Sequence, residues 1–138
     1  MLLGVLVVTA VLAAVHRWRD GRLRTTRAVR DERQDSREDL RPLLPEAGET
    51  ATLLQFSSAF CAPCRATRRV LGEVAAVAQG VVHVEVDAES NLELVRRLNI
   101  LKTPTTLVLD GHGREVVRAS GQPRKTDVLR ALGQAVRS

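Results

Sequence analysis

The chain has 138 residues, enough for one ordinary domain and an additional segment. With two Phe, one Trp and no Tyr, the core must be filled mainly by Leu, Val and Ala. The net charge of +5 does not indicate nucleic-acid binding, because the arginines cluster at residues 17–30 without a series of aromatic side chains to stack on bases.

An apolar run at residues 2–15 opens the chain. Alone it would span about 21 Å as a helix, less than the ~30 Å of a hydrocarbon core. With Met1 and residues 16–18 it reaches a marginal span, in which Arg17 snorkels and Trp18 lies at the interface. The pattern predicts a transmembrane anchor helix at residues 1–18, with a signal peptide or a buried helix as alternatives.

The distribution of basic residues predicts the orientation of this anchor. No basic side chain precedes the apolar run, and no small-x-small cleavage site is convincing after it. Six arginines follow the run: Arg17, Arg19, Arg22, Arg24, Arg27 and Arg30. The positive-inside rule therefore predicts a single-pass protein of the cell membrane with a cytoplasmic domain, and the alternative is an extracytoplasmic domain.

Residues 19–49 are predicted to form a charged juxtamembrane segment and linker. Acidic residues outnumber basic ones after residue 30, and Pro42 and Pro45 interrupt any helix. Three leucines in this segment are candidates for packing on the flank of the domain: Leu40, Leu43 and Leu44.

An alternating α/β pattern occupies residues 50–138. Residues 51–57 form a continuously apolar strand, typical of a sheet that is covered on both faces. The next helix has its apolar positions at Ala66, Val70, Val74, Val77 and Ala78. Further elements follow in order: a strand at 81–87, a helix, strands at 105–109 and 115–119 around the turn 110–113, and a closing helix from about residue 124.

Cys61 and Cys64 are the only two cysteines, and their close spacing indicates a joint role in redox or metal chemistry. With no further cysteines, a four-ligand zinc site within one chain is not predicted, and a zinc shared by two chains is the alternative. The three histidines, His16, His83 and His112, are dispersed and predict no catalytic role. No metal or cofactor is expected.

Redox chemistry is favoured because Cys61 stands where a helix begins. Free N–H groups and the positive end of the helix dipole stabilise a thiolate there and lower the thiol pKa. Pro63 suits the first helical turn, and Cys64 lies one turn on, within reach of a disulfide. We therefore predict that Cys61 attacks the substrate and that Cys64 resolves the intermediate.

The chain resembles the thioredoxin family in three features: the strand at 53–56, the motif Cys61-Ala62-Pro63-Cys64-Arg65, and the segment Thr103-Pro104-Thr105. The resemblance implies a thioredoxin-like fold with a central mixed β-sheet flanked by helices. It also implies that Pro104 is preceded by a cis bond beside the cysteines. By the same resemblance Thr103 and Pro104 border the substrate groove, and Phe60, Ala62 and Pro63 flank the redox centre.

Two departures from the family pattern are present. The usual Trp-Cys-Gly-Pro-Cys is Phe-Cys-Ala-Pro-Cys here. Gln55 occupies the position at which many members have a buried carboxylate near the second cysteine, where it accepts the proton of that thiol. A glutamine cannot accept this proton.

These features predict a membrane-tethered thiol-disulfide oxidoreductase that reduces protein disulfides with electrons from a thiol-reducing donor. Its expected partners are disulfide-containing proteins and the membrane, and not nucleic acid. Two alternatives remain open. The first is an exported oxidoreductase for disulfide exchange or cytochrome maturation, and the second is a redox-inactive thioredoxin-like binding module.

Overall fold

A five-stranded β-sheet forms the centre of the structure, a computed structural model that describes residues 7, 9–15, 23–25 and 40–138. Its strands are β1 (Leu23–Thr25), β2 (Ala51–Ser57), β3 (Val81–Asp87), β4 (Thr105–Asp110) and β5 (Glu115–Ser120). Their spatial order is β1-β5-β4-β2-β3. Strands β2 and β3 are parallel and the other neighbouring pairs are antiparallel, so the predicted mixed sheet is confirmed.

Beyond residue 40, three α-helices accompany the sheet: α1 (Ala62–Val77), α2 (Leu92–Arg97) and α3 (Lys125–Ala135). Helix α1 is the crossover between the parallel strands β2 and β3. A short 3₁₀ turn (Arg41–Leu43) precedes β2. The order of elements predicted from residue 50 onward matches the structure.

Strand β2 lies between two hydrophobic cores, and all seven of its residues are buried. Successive side chains of a strand point to opposite faces. Leu53 packs in the core formed with α1 and α3. Leu54 and Phe56 pack in the core formed with α2 and residues 40–47. Because both faces of the sheet are covered, the strand is buried throughout, and its polar residues Thr52, Gln55 and Ser57 are buried together with the apolar ones.

The buried face of α1 is shifted relative to the predicted apolar repeat, of which only Val74 is fully buried. Thr67, Leu71 and Val74 are buried, at spacings of four and three residues. The next position on this face is Ala78, which packs against the core. Val77 consequently points away from the sheet and is 79% exposed.

The described parts of the predicted linker, residues 23–25 and 40–49, contact the domain. Residues 23–25 form β1, an edge strand on β5 that the sequence pattern did not predict, because three residues cannot display an alternation. Leu40 and Leu44 are buried in the core on the α2 side of the sheet, as expected for packing on the flank. Leu43 is 45% exposed.

The predicted anchor at residues 1–18 lies partly outside the described residues. Residues 7 and 9–15 are helical, and the side chains of Val7, Val11 and Leu12 are exposed. In the described part of the chain, no helix has both the length and the apolar character needed to cross a membrane.

Candidate active site

Cys61 and Cys64 form a disulfide at the amino end of α1, with an S–S distance of 2.01 Å and a Cα–Cα distance of 5.2 Å. Cys61 is the N-cap residue of the helix and has an extended backbone. Pro63 lies in the first turn, where its missing N–H removes no helical hydrogen bond. The structure therefore joins the two cysteines whose spacing predicted a joint role.

The two sulfur atoms differ in their surroundings. Cys64 is 1% exposed, whereas Cys61 is partly exposed. The backbone N–H of Cys64 donates a hydrogen bond to Sγ of Cys61 over 3.2 Å. The positive end of the α1 dipole lies at the same atom. After reduction, these groups favour a thiolate on Cys61 and make it the accessible nucleophile.

The residues around the disulfide present apolar surface. Phe60 is fully exposed, and its backbone φ of +57° lies in the left-handed region, which is uncommon for residues other than glycine. Ala62 and Pro63 are also exposed. A fully exposed ring on a strained backbone beside a reactive pair is typical of a binding surface.

The proline loop, residues 102–105, contacts the loop that precedes the cysteines. The Thr103–Pro104 peptide bond is cis, as the family resemblance implied. Oγ1 of Thr103 lies 2.8 Å from Oγ of Ser58, and the carbonyl of Pro104 accepts a 2.8 Å hydrogen bond from the N–H of Gly121. The structure thus brings the two predicted loops together. Ser58 was not predicted, because a single hydroxyl in a loop carries no motif.

A buried polar network lies between β2, β3 and the first turns of α1. The side chain of Gln55 is fully buried at its centre. Its Nε2 donates to Oγ of Ser57 over 2.8 Å and to the carbonyl of Cys64 over 2.9 Å. Its Oε1 lies 3.0 Å from Nε2 of His83. Gln55 therefore contacts Cys64 through its backbone carbonyl. The family resemblance implied that residue 55 lies near this second cysteine.

An ion pair between Arg68 and Glu85 extends this network to the surface. Nε and Nη2 of Arg68 donate to the two carboxylate oxygens of Glu85 over 2.5 and 2.8 Å, and Ser57 also hydrogen-bonds this carboxylate. The hydrogen bond from Arg68 lowers the pKa of the Glu85 carboxyl, and partial burial opposes this effect.

The imidazole of His83 also has a shifted pKa. Burial lowers this pKa most strongly, the charge of Glu85 opposes the shift, and the charge of Arg68 adds to it. Near neutral pH, Glu85 is therefore ionised while His83 is uncharged.

Two buried hydroxyls beside the network have no hydrogen-bond partner within the described residues: Oγ1 of Thr67 and Oγ1 of Thr106. Thr106 pairs with Gln55 across β4 and β2, so their side chains point to the same face of the sheet. Thr67 is fully buried on α1. Each hydroxyl has lost its contact with water without gaining a protein partner, which costs free energy.

Replacing Thr106 with valine is expected to raise the free energy of unfolding by about 1 kcal/mol, because an uncompensated polar group is removed at nearly constant shape. Thr105→Val is the matched control, because Oγ1 of Thr105 has a partner and donates to the carbonyl of Lys102 over 2.7 Å. The control should lower the free energy of unfolding by about 1 kcal/mol. Urea denaturation measures both variants, and shifts of the same sign would contradict this assignment.

The histidines are separated in the structure. His83 belongs to the network, His112 lies in the β4–β5 turn, and His16 is outside the described residues. Across the described ranges, no group of three or more His, Cys, Asp or Glu residues is arranged to hold a metal ion. Sequence reasoning missed the contact of His83 with Gln55. Aligning the predicted strands 51–57 and 81–87 in parallel, residue for residue, would have placed His83 opposite Leu53 and diagonal to Gln55 on the same face of the sheet.

Comparisons with known proteins agree with this geometry. The family model described as Thioredoxin matches residues 42–134. Thioredoxin of Mycobacterium tuberculosis is 32% identical over 85 residues, covering 61% of this chain and 72% of that protein. Human thioredoxin domain-containing protein 2 is 39% identical over 70 residues, which are 51% of this chain but only 13% of the human protein.

Solved structures give the same result for the fold. Thioredoxin f from spinach chloroplast superposes with a TM-score of 0.58 at 25% sequence identity. The matched region covers 74% of this chain and 89% of the spinach chain.

Proposed function

Because this chain belongs to the thioredoxin family, we propose that it is a thiol-disulfide oxidoreductase that reduces protein disulfides through Cys61 and Cys64. The asymmetry of the pair carries the proposal. Cys61 is partly exposed at the helix end, and Cys64 is buried and bonded to it. This arrangement suits a reaction in which one sulfur meets the substrate and the other completes the exchange.

The reaction consists of two substitutions at sulfur. The Cys61 thiolate attacks one sulfur of the substrate disulfide, which forms a mixed disulfide and releases the other substrate sulfur as a thiolate that takes a proton from water. Cys64 then loses its proton, and its thiolate attacks Sγ of Cys61. The Cys61–Cys64 bond forms, the bond to the substrate breaks, and the second substrate sulfur leaves as a thiolate that takes up a proton. The substrate has gained two electrons, and a thiol-reducing donor restores the dithiol.

The surface around Cys61 is the proposed docking site for the substrate. Phe60, Ala62 and Pro63 supply exposed apolar area on one side. Thr103, held by its contact with Ser58, supplies the edge of the proline loop. An extended polypeptide near Cys61 would contact both parts. Serine replacement of each cysteine in turn, followed by measurement of trapped substrate, tests the proposed reaction.

We propose further that residues 1–18 tether the protein to the cell membrane and that the domain faces the cytoplasm. The support is the sequence pattern, in which six arginines follow the apolar run. The physiological substrates would then be cytoplasmic proteins whose disulfides form at or near the membrane.

A fusion of alkaline phosphatase to Ser138 is expected to be inactive, because this enzyme requires the oxidising side of the membrane for its disulfides. A fluorescent protein at the same position should be bright in the membrane fraction. Insertion of four lysines before Leu2 is the control, and it should weaken or invert the preference. An active phosphatase fusion on the unmodified chain would instead indicate export.

A further inference from the structure

We propose that His83 is a positioning residue for the redox pair and a pH sensor of its second step. Its Nε2–H holds the Gln55 amide against the carbonyl of Cys64. A second proton on its Nδ1 brings a positive charge to the network and favours the Cys64 thiolate. This inference rests on the proposed exchange reaction and assigns a role to a residue outside the cysteine motif.

The hydrogen bonds of Gln55 determine which nitrogen of His83 carries the permanent proton. The carbonyl of Cys64 can only accept, so the amide Nε2 of Gln55 must face it. Oε1 of Gln55 must then face His83, over 3.0 Å. Because this oxygen can only accept, Nε2 of His83 carries hydrogen in both protonation states. Nδ1 is therefore the atom that gains and loses the proton.

The position of His83 on β3 allows this proton to exchange with water. β3 is an outer strand of the sheet within the described residues, and His83 is partly exposed. Its charged neighbours are Glu85 on the same strand and Arg68 on α1. The nearest side chains of β2 on the same face are Leu53, which pairs with His83, and Gln55, and both are uncharged. Burial lowers the imidazole pKa below its ordinary value of 6.5, so the positive charge appears only on the acid side of that value.

The charge matters because the usual acceptor for the Cys64 proton is absent. The side chain of Gln55 is neutral. Within the described residues, its hydrogen-bond partners are Ser57, the Cys64 carbonyl and His83, and none of them is a carboxylate. Acidification ordinarily depletes a thiolate tenfold for each pH unit. A cation at His83, which is connected to Cys64 through the hydrogen bonds of Gln55, opposes this loss, because a positive charge favours ionisation of the thiol. The resolving step should therefore decline less steeply with acid than a lone buried thiol would.

Three substitutions separate the two roles of His83, which are to hold Gln55 by a hydrogen bond and to supply a positive charge in acid. His83→Gln keeps a side-chain N–H donor but cannot become charged. His83→Lys carries its charge at every pH tested. His83→Leu removes both the donor and the charge. Repeating these changes in a Gln55→Ala background tests whether His83 acts through Gln55, in the manner of a double-mutant cycle.

The full-length reduced chain is mixed with a symmetric aromatic disulfide in a stopped-flow instrument. Attack by Cys61 releases one coloured thiol, and resolution by Cys64 releases the second, so the second phase reports the resolving step. At pH 5 the wild type should exceed His83→Gln by about three- to tenfold in this phase, and the two should agree at pH 8. His83→Leu should be slower than His83→Gln at every pH, because Gln55 is no longer held.

Superimposable profiles of the wild type and His83→Gln from pH 5 to 8 would overturn the proposal. Failure of the exchange reaction itself would look different, since neither coloured thiol would then be released. A second measurement does not depend on turnover. In Cys61→Ser, ultraviolet thiolate absorbance gives the pKa of Cys64, which should be about one unit lower in His83→Lys than in His83→Gln, a tenfold effect. Equal values would refute the coupling.

Discussion

Serine at position 61 is expected to abolish disulfide reduction, with a loss of about 10³-fold or more, because a hydroxyl has little nucleophilic character at neutral pH. Cys64 cannot substitute for Cys61, since it is 1% exposed and therefore inaccessible to a protein substrate. Turnover of a protein disulfide with dithiothreitol as the donor measures the effect. Circular dichroism of the variant provides the control for folding.

The companion variant Cys64→Ser should behave differently. Cys61 remains able to attack, but no thiol is present to release the substrate. A covalent protein–substrate complex should accumulate and disappear on treatment with dithiothreitol. Non-reducing electrophoresis followed by mass spectrometry detects it. If both serine variants trapped substrate to the same extent, the assigned roles of the two cysteines would be wrong.

Introducing a carboxylate at position 55 should accelerate resolution of the mixed disulfide. Gln55 is fully buried and bonds the carbonyl of Cys64, so an acid there lies close to the resolving thiol. General-base catalysis typically contributes 10²- to 10⁴-fold when proton transfer limits a step. We expect Gln55→Asp to raise the rate of the second stopped-flow phase at pH 7 by about 10²-fold. Gln55→Asn is the control, because asparagine has the same length as aspartate but carries no charge. This variant should not accelerate the second phase.

The same substitution should make stability depend on pH. Burial disfavours the charged carboxylate and raises its pKa well above the ~3.9 of an unfolded chain. At pH values between the pKa of this carboxyl in the unfolded chain and its higher pKa in the folded protein, the folded state holds the proton more often than the unfolded state does. The free energy of unfolding therefore falls as pH rises through this range. Gln55→Asp and Gln55→Asn should be equally stable near pH 3.5 and differ by about 2–3 kcal/mol at pH 7. Equal urea midpoints at both pH values would show that residue 55 reaches solvent.

The sequence was sufficient to predict the elements whose signals are local. The mainly apolar run of β2 and the motif from Cys61 to Cys64 each lie within a few consecutive residues. The structure has both where they were predicted. The cis bond before Pro104 was also expected, from the resemblance to the thioredoxin family rather than from the chemistry of the chain.

Contacts between distant residues were less accessible to prediction. The Ser58–Thr103 hydrogen bond joins residues 45 positions apart, and the contact of His83 with Gln55 spans 28. Such pairs depend on strand register and loop course, which no single stretch of sequence encodes. Strand β1 was missed for a related reason, since its pairing with β5 is visible only after the sheet has formed.

Strand β1 also limits how far the domain can move in the proposed tethered arrangement. Only four residues separate Trp18, at the end of the proposed anchor, from Leu23 in β1, so five residue-to-residue steps join them. An extended chain covers at most about 3.5 Å per residue, so a docked β1 keeps its edge of the sheet within about 17 Å of the bilayer. If β1 detaches from β5, the next attachment point is Leu40 in the core, and the reach grows to about 75 Å. The pairing of Leu23–Thr25 with β5 would thus set how far from the membrane anchor Cys61 can meet its substrates.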